Sequence, residues 1–306
     1  MVGQAGLSPP PKRRRVKPAP FEYHAPTTTA DAAGLLADLG DGAKVLAGGQ
    51  SLIPMLALRL AVFDHLVDVG RIAELQGIER RGDALWVGAG TTEAAVGASV
   101  EVASSVPLLA KATPFVGHFQ IRNRGTLGGS IAHADPAAEY PAVALALDAS
   151  MEVVSSKGRR TIAAGEFFDG LWSTSMETDE LLAGVSFPIW GGRCGFAVEE
   201  FARRYGDFAL AGVAVAIELD GDDRVRRSAL GLIGMGSTPE RAVTTEAQLA
   251  GQPVTEVDAE EVGRSAVAGL EAVPSDLHGS ADYRRRLGAA MVARAWRTAS
   301  AEARHG

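Results

Sequence analysis

Two glycine-rich turns about eighty residues apart hold the residues most able to do chemistry in this chain. The first is Ala47-Gly48-Gly49-Gln50-Ser51-Leu52, and the second is Gly125-Thr126-Leu127-Gly128-Gly129-Ser130-Ile131-Ala132-His133-Ala134-Asp135-Pro136. Each places adjacent glycines where backbone N–H groups can come close to an anion, and each precedes a segment able to start a helix and add its positive end. One diphosphate, gripped from two sides, satisfies both. The second turn also gathers Thr126, Ser130, His133 and Asp135, more hydrogen-bonding groups than a plain turn needs. His133 reads as a hydrogen-bonded residue beside the ligand, because the sequence gives it no carboxylate partner or metal co-ligand for acid–base work.

Other chemistries find little support. The segment Gly88-Ala89-Gly90-Thr91-Thr92-Glu93 begins like a dinucleotide fingerprint, but Glu93 takes the third glycine position. A carboxylate there would spoil helix–strand packing and lie near a pyrophosphate, so a Rossmann unit is rejected. The six histidines show no metal-ligand spacing, and there is no nucleophile elbow or P-loop lysine. The single cysteine, Cys194, cannot form an internal disulfide or house an iron–sulfur cluster alone.

The turns need a framework. With 306 residues, 46% hydrophobic and 22% charged, the chain can build two or three compact units. No apolar run approaches the roughly 20 residues of a membrane span, and no secretory core opens the chain, so a soluble cytoplasmic protein is expected. Five positive charges precede residue 18, leaving −12 on the remainder of a chain whose net charge is −7. The basic stretch reads as a disordered tail, and the acidic body argues against nucleic acid.

Strands at 44–47 and 66–69 flank the first turn and a helix over 52–60, a small βαβ unit. Strands at 78–81 and 84–87, a hairpin over 151–162 and a closing strand at 180–187 are expected around the second turn. Residues 136–147 read as a helix with a one-sided apolar stripe. Trp190-Gly191-Gly192-Arg193 reads as a linker, followed by an antiparallel meander (195–201, 211–219, 225–235) and helices over 239–250, 257–273 and 280–303. The units are thus a tail over 1–18, then 19–76, 77–190 and 191–306.

Both turns, with Gln120-Ile121-Arg122-Asn123-Arg124 and the segment Phe201-Ala202-Arg203-Arg204-Tyr205-Gly206-Asp207-Phe208-Ala209-Leu210-Ala211-Gly212-Val213-Ala214, closely resemble the FAD-binding medium subunit of molybdenum hydroxylases over residues 19–300. That family includes the medium subunit of carbon monoxide dehydrogenase and the flavin domain of xanthine dehydrogenase. The resemblance implies an α+β, p-cresol methylhydroxylase-like FAD fold of two subdomains, plus a C-terminal domain with a small antiparallel sheet and a helical bundle. It implies diphosphate contacts from Ala47, Gly48, Gly49, Gln50, Ser51 and Leu52 and from Thr126, Gly128, Gly129 and Ser130, through backbone amides and the Ser51 and Thr126 hydroxyls. His133 would sit beside the cofactor, Glu139 would hydrogen-bond it, Leu182 would pack on the flavin, and Phe208, after Asp207, would lie beside the isoalloxazine ring. Glu200 stands at or next to a place where relatives carry a lysine.

The resemblance further implies a large molybdenum subunit with a molybdopterin cofactor and a small subunit with [2Fe–2S] clusters, assembled as a dimer of heterotrimers. This chain would be their electron-transfer oxidoreductase subunit. Two other readings stand beside it: a free-standing flavin oxidoreductase, for which His133 and Cys194 are the only hints, and a non-catalytic dinucleotide or nucleic-acid module.

Overall fold

The computed structural model describes residues 17–306, so the tail expected over 1–18 lies almost wholly outside the described residues. The first sheet is parallel, with strands in the order Glu22–His24, His65–Asp68, Ala43–Leu46. The helix Thr29–Leu39 starts where the Thr28 side chain accepts from the Asp31 N–H at 3.1 Å, and it buries Ala32 and Leu36 against Val67, Val69 and Leu75. After the first glycine turn comes the helix Leu52–Ala57, shorter than expected. Arg59 takes a left-handed conformation (φ 57°) while Leu60 N–H reaches back to Met55 O, a terminating hairpin of hydrogen bonds that stops the helix.

The second sheet is antiparallel, in the order Ile78–Arg81, Ala84–Gly88, Leu181–Pro188, Ser150–Ser155, Gly158–Ala163. The strand expected to close this unit, Leu181–Pro188, therefore lies at its centre, with hairpins on either side. Six of its eight residues are buried, as a run without polar alternation requires.

The third sheet runs Arg193–Phe201, Ala211–Leu219, Val225–Ile233, Glu240–Arg241, all antiparallel. Its second strand is buried on both faces: Ala214 and Ala216 join the core of the second sheet, whereas Val213, Val215 and Ile217 join a core closed by helices Ala259–Ala268 and Ala281–His305, with Trp296 at 1% exposure. The long helix lies directly on the sheet, since a Cβ on Gly195 would stand 1.9 Å from Ala299 O.

One expected helix differs in kind. It runs only from Glu139 to Ala146, because Asp135 closes a turn by accepting from the N–H groups of Ala137 and Ala138. It has no one-sided stripe. Seven of its eight residues are buried, because it is packed between the second and third sheets, where a Cβ on Gly231 would meet Ala142 O at 2.3 Å. Among the described residues no helix is long and apolar enough to cross a membrane.

Candidate cofactor-binding site

The first turn leaves the parallel sheet at Leu46 and reverses at Gly49 (φ 73°), a backbone that glycine adopts without strain. Gln50 braces it by donating Nε2–H to Gly48 O at 2.9 Å. Helical bonding begins with Ile53 N–H to Gly49 O, so the N–H groups of Gln50, Ser51 and Leu52 find no acceptor among the described residues. These free donors border a cavity.

The second turn is organised differently. Thr126 caps the helix Leu127–His133 by accepting from Gly129 N–H at 3.0 Å. Leu127 N–H donates to Thr91 O, Gly128 N–H to Ala89 O and Ser130 N–H to Thr126 O. The amides of Leu127, Gly128, Gly129 and Ser130 are thus already paired, and what the turn offers a ligand is chiefly the Thr126 and Ser130 hydroxyls. The rejected segment Gly88 to Glu93 is what holds it. The strand leading into that segment, Ala84–Gly88, pairs antiparallel on both sides, which rules out a parallel dinucleotide unit.

The glycines are there for contact. A Cβ on Gly48 would lie 2.2 Å from Arg124 O, and one on Gly128 2.3 Å from the Ala89 Cβ. The two turns, distant in sequence, meet main chain to main chain. Thr126→Ala is expected to weaken this junction by about 1 kcal/mol through the lost cap. Urea denaturation measures it, and Thr126→Ser should restore most of the difference.

The cavity is about 850 Å³. Every anticipated residue borders it: Ala47 to Leu52, Thr126, Gly128, Gly129, Ser130, His133, Glu139, Leu182, Asp207 and Phe208. Leu182 projects from the central strand, and Phe208 stands 64% exposed on a loop whose Gly206 (φ 82°) packs on the His118 ring. His133 stacks parallel to Trp172, with centroids 6.3 Å apart, and burial pulls its pKa down. Burial thus favours its neutral form.

Sequence reasoning missed Lys44, Phe63 and Trp172. Lys44 sits on a strand edge of the cavity, close enough to His133 to help lower its pKa, and brings the positive charge an anion needs. Its ammonium lies 5.8 Å from the Phe63 ring centroid. Trp172 holds a left-handed backbone (φ 56°) and donates Nε1–H to Asp135 Oδ2 at 3.3 Å.

Two acidic groups, Glu93 and Glu139, are part of the cavity wall, and Glu200 lies outside it. Burial pushes Glu93 up to about 8, reinforced by Glu139, while burial carries Glu139 itself to about 7. Glu200 rises to about 8, through burial and then the same neighbour. Glu93 and Glu200 each keep one carboxylate oxygen without a partner. Arg122 is the cation that offsets Glu93 and Glu139, and it is fixed by donating to Val116 O and Gly117 O at 2.9 Å.

A family described as the FAD binding domain in molybdopterin dehydrogenase matches residues 19–190, and the CO dehydrogenase flavoprotein C-terminal domain matches residues 196–299. The chain is 38% identical over 278 residues to the carbon monoxide dehydrogenase medium chain of Hydrogenophaga pseudoflava, covering 91% of this chain and 96% of that one. It is 39% identical over 279 residues to subunit alpha of the 6-hydroxypseudooxynicotine dehydrogenase complex of Paenarthrobacter nicotinovorans, covering 91% and 94%. The fold matches the solved structure of a Hydrogenophaga pseudoflava carbon monoxide dehydrogenase lacking the Mo-pyranopterin moiety of its molybdenum cofactor, with TM-score 0.90, 39% identity and coverage of 93% and 99%.

Proposed function

The chain belongs to the family of FAD-binding medium subunits of molybdenum hydroxylases, and from that premise we propose that it binds FAD in this cavity and relays electrons between a small iron–sulfur subunit and an external acceptor. The observation that carries the reading is the junction of the two glycine turns. Free amides at Gln50, Ser51 and Leu52 lie opposite the Thr126 and Ser130 hydroxyls, with Lys44 nearby, on a cavity of ordinary cofactor size. That donor set fits a diphosphate.

In this reading the Ala47 to Leu52 amides and the Ser51 and Thr126 hydroxyls hold the diphosphate. Leu182 and Phe208 pack against the flavin, and Glu139, with Asp207 at the mouth, orients it. Bound flavin supplies the conversion between one-electron and two-electron transfer. The protein supplies position and solvent access. Residues 19–76 and 77–190 form the two FAD subdomains, and 191–306 the C-terminal domain.

The partners are a large molybdenum-binding subunit and the small [2Fe–2S] subunit, assembled as a dimer of heterotrimers. Leu58, Leu60 and Val62, each more than half exposed just after the first turn, offer an apolar face for docking. A free-standing flavoenzyme is less well supported. Cys194 donates to Gly191 O at 3.2 Å, does not border the cavity, and burial pushes its thiol up to about 11.

The test is the visible spectrum of the purified chain, with heat release and identification of the nucleotide. Stoichiometric, non-covalent FAD, lost in Gly129→Asp, is the expected outcome. A colourless chain that also takes up no FAD when co-expressed with its partner subunits would overturn the proposal.

A further inference from the structure

Away from the cavity, the first sheet brings together three side chains whose sequence spacing carries no metal pattern. Glu22 and His24 alternate along one strand and so face the same side, and parallel pairing sets His65 directly opposite Glu22. His24 Nε2 lies 3.2 Å from His65 Nδ1, and Glu22 Oε2 lies 3.6 Å from the same nitrogen. One ligand atom from each residue falls within 4.8 Å of the other two. Forty-one residues separate the histidines, which is why reading along the chain does not pair them.

The geometry allows two arrangements. One imidazole can donate its proton to the other, or both can turn lone pairs toward a shared cation. A 3.2 Å separation subtends roughly 100° at a metal 2.0–2.1 Å from each nitrogen, and 3.6 Å roughly 120°, so the angles bracket the tetrahedral value. Glu22 is three-quarters exposed and His65 one-quarter, which leaves the fourth position to water or to a ligand from another molecule. Two neutral imidazoles and a carboxylate suit a borderline transition metal, whereas calcium and magnesium prefer oxygen donors.

We propose that Glu22, His24 and His65 form a divalent transition-metal site of the zinc class, separate from the flavin cavity. The metal joins the edge strand Glu22–His24, only three residues long, to the central strand of its sheet. The strand that leads into the first glycine turn, Ala43–Leu46, pairs with the other side of that central strand.

The experiment uses the tag-free, full-length chain as purified, stripped of metal by a chelator and titrated with zinc chloride in a calorimeter. Saturable uptake of one zinc per chain, with a rise in thermal midpoint, is expected. His24→Ala and His65→Gln should each weaken uptake by about tenfold or more, with Glu22→Gln intermediate. Circular dichroism establishes that these variants are folded. Flavin content should be the same in all of them, so the result does not depend on the proposed cofactor role. Equal zinc uptake in wild type and His65→Gln, no measurable uptake, or loss of uptake in Cys194→Ser would overturn the site.

Discussion

Gly48→Ala is expected to purify without flavin. The added Cβ would stand 2.2 Å from Arg124 O and 2.7 Å from Gly125 Cα, both main-chain atoms that no rotamer change can move. Relief requires the two turns to separate, and the free amides then no longer face the Thr126 hydroxyl. The effect is one of proximity, since Gly48 is not among the residues of positive φ. Gly49→Ala tests the contrast. It brings left-handed strain of about 1–2 kcal/mol, but its Cβ meets side chains of Ile53 and Leu46 at 3.0 and 3.2 Å, which can give way. Gly34→Ala, in a helix with nothing within 4 Å, should add about 0.5–1 kcal/mol of stability and keep its colour. The ratio of visible to protein absorbance ranks the three. Full flavin content in Gly48→Ala would show that the junction is not what holds the cofactor.

Removing two buried carboxylates should stabilise the protein in alkaline solution. Glu93 and Glu200 carry unpartnered oxygens, and burial raises both from the ordinary 4.5 to about 8. Between those values the unfolded chain binds fewer protons than the folded one. Stability is therefore fullest below about pH 4.5 and is lost as the pH rises through about 8. Glu93→Gln combined with Glu200→Gln removes that loss. A gain of about 2–4 kcal/mol over wild type at pH 8.5, shrinking toward zero at pH 5, is expected from urea denaturation at the two pH values. A gain independent of pH would assign the effect to packing.

The glycine turns were legible because close main-chain approach imposes a residue type, and Gly48 and Gly128 record that constraint directly. Their partition of labour was not. Whether an amide is free or already paired depends on the strand behind it, and Thr91 O and Ala89 O lie in a segment set aside as a decoy. The objection to Glu93 as a charge near a pyrophosphate assumed an ionised carboxylate, yet burial keeps it largely protonated at neutral pH. The βαβ unit and the meander could be read from local alternation. The helix over 136–147 was legible too, but its burial on all sides was not, because its second apolar face is covered by a sheet that begins more than forty residues later. Lys44 and Trp172 were missed for a related reason: only the tertiary fold decides which side of a strand or loop faces the ligand.

The strand Ala211–Leu219 has a mechanical consequence. Its odd-numbered residues Val213 to Ile217 belong to one core and its even-numbered neighbours Ala214 and Ala216 to the other, so it is a party wall between the cofactor-bearing half and the helical end. Neither side can melt without exposing the other's apolar surface. Stabilisation gained by occupying the cavity is therefore expected to carry into the core around Trp296, and the second and third sheets are expected to melt together.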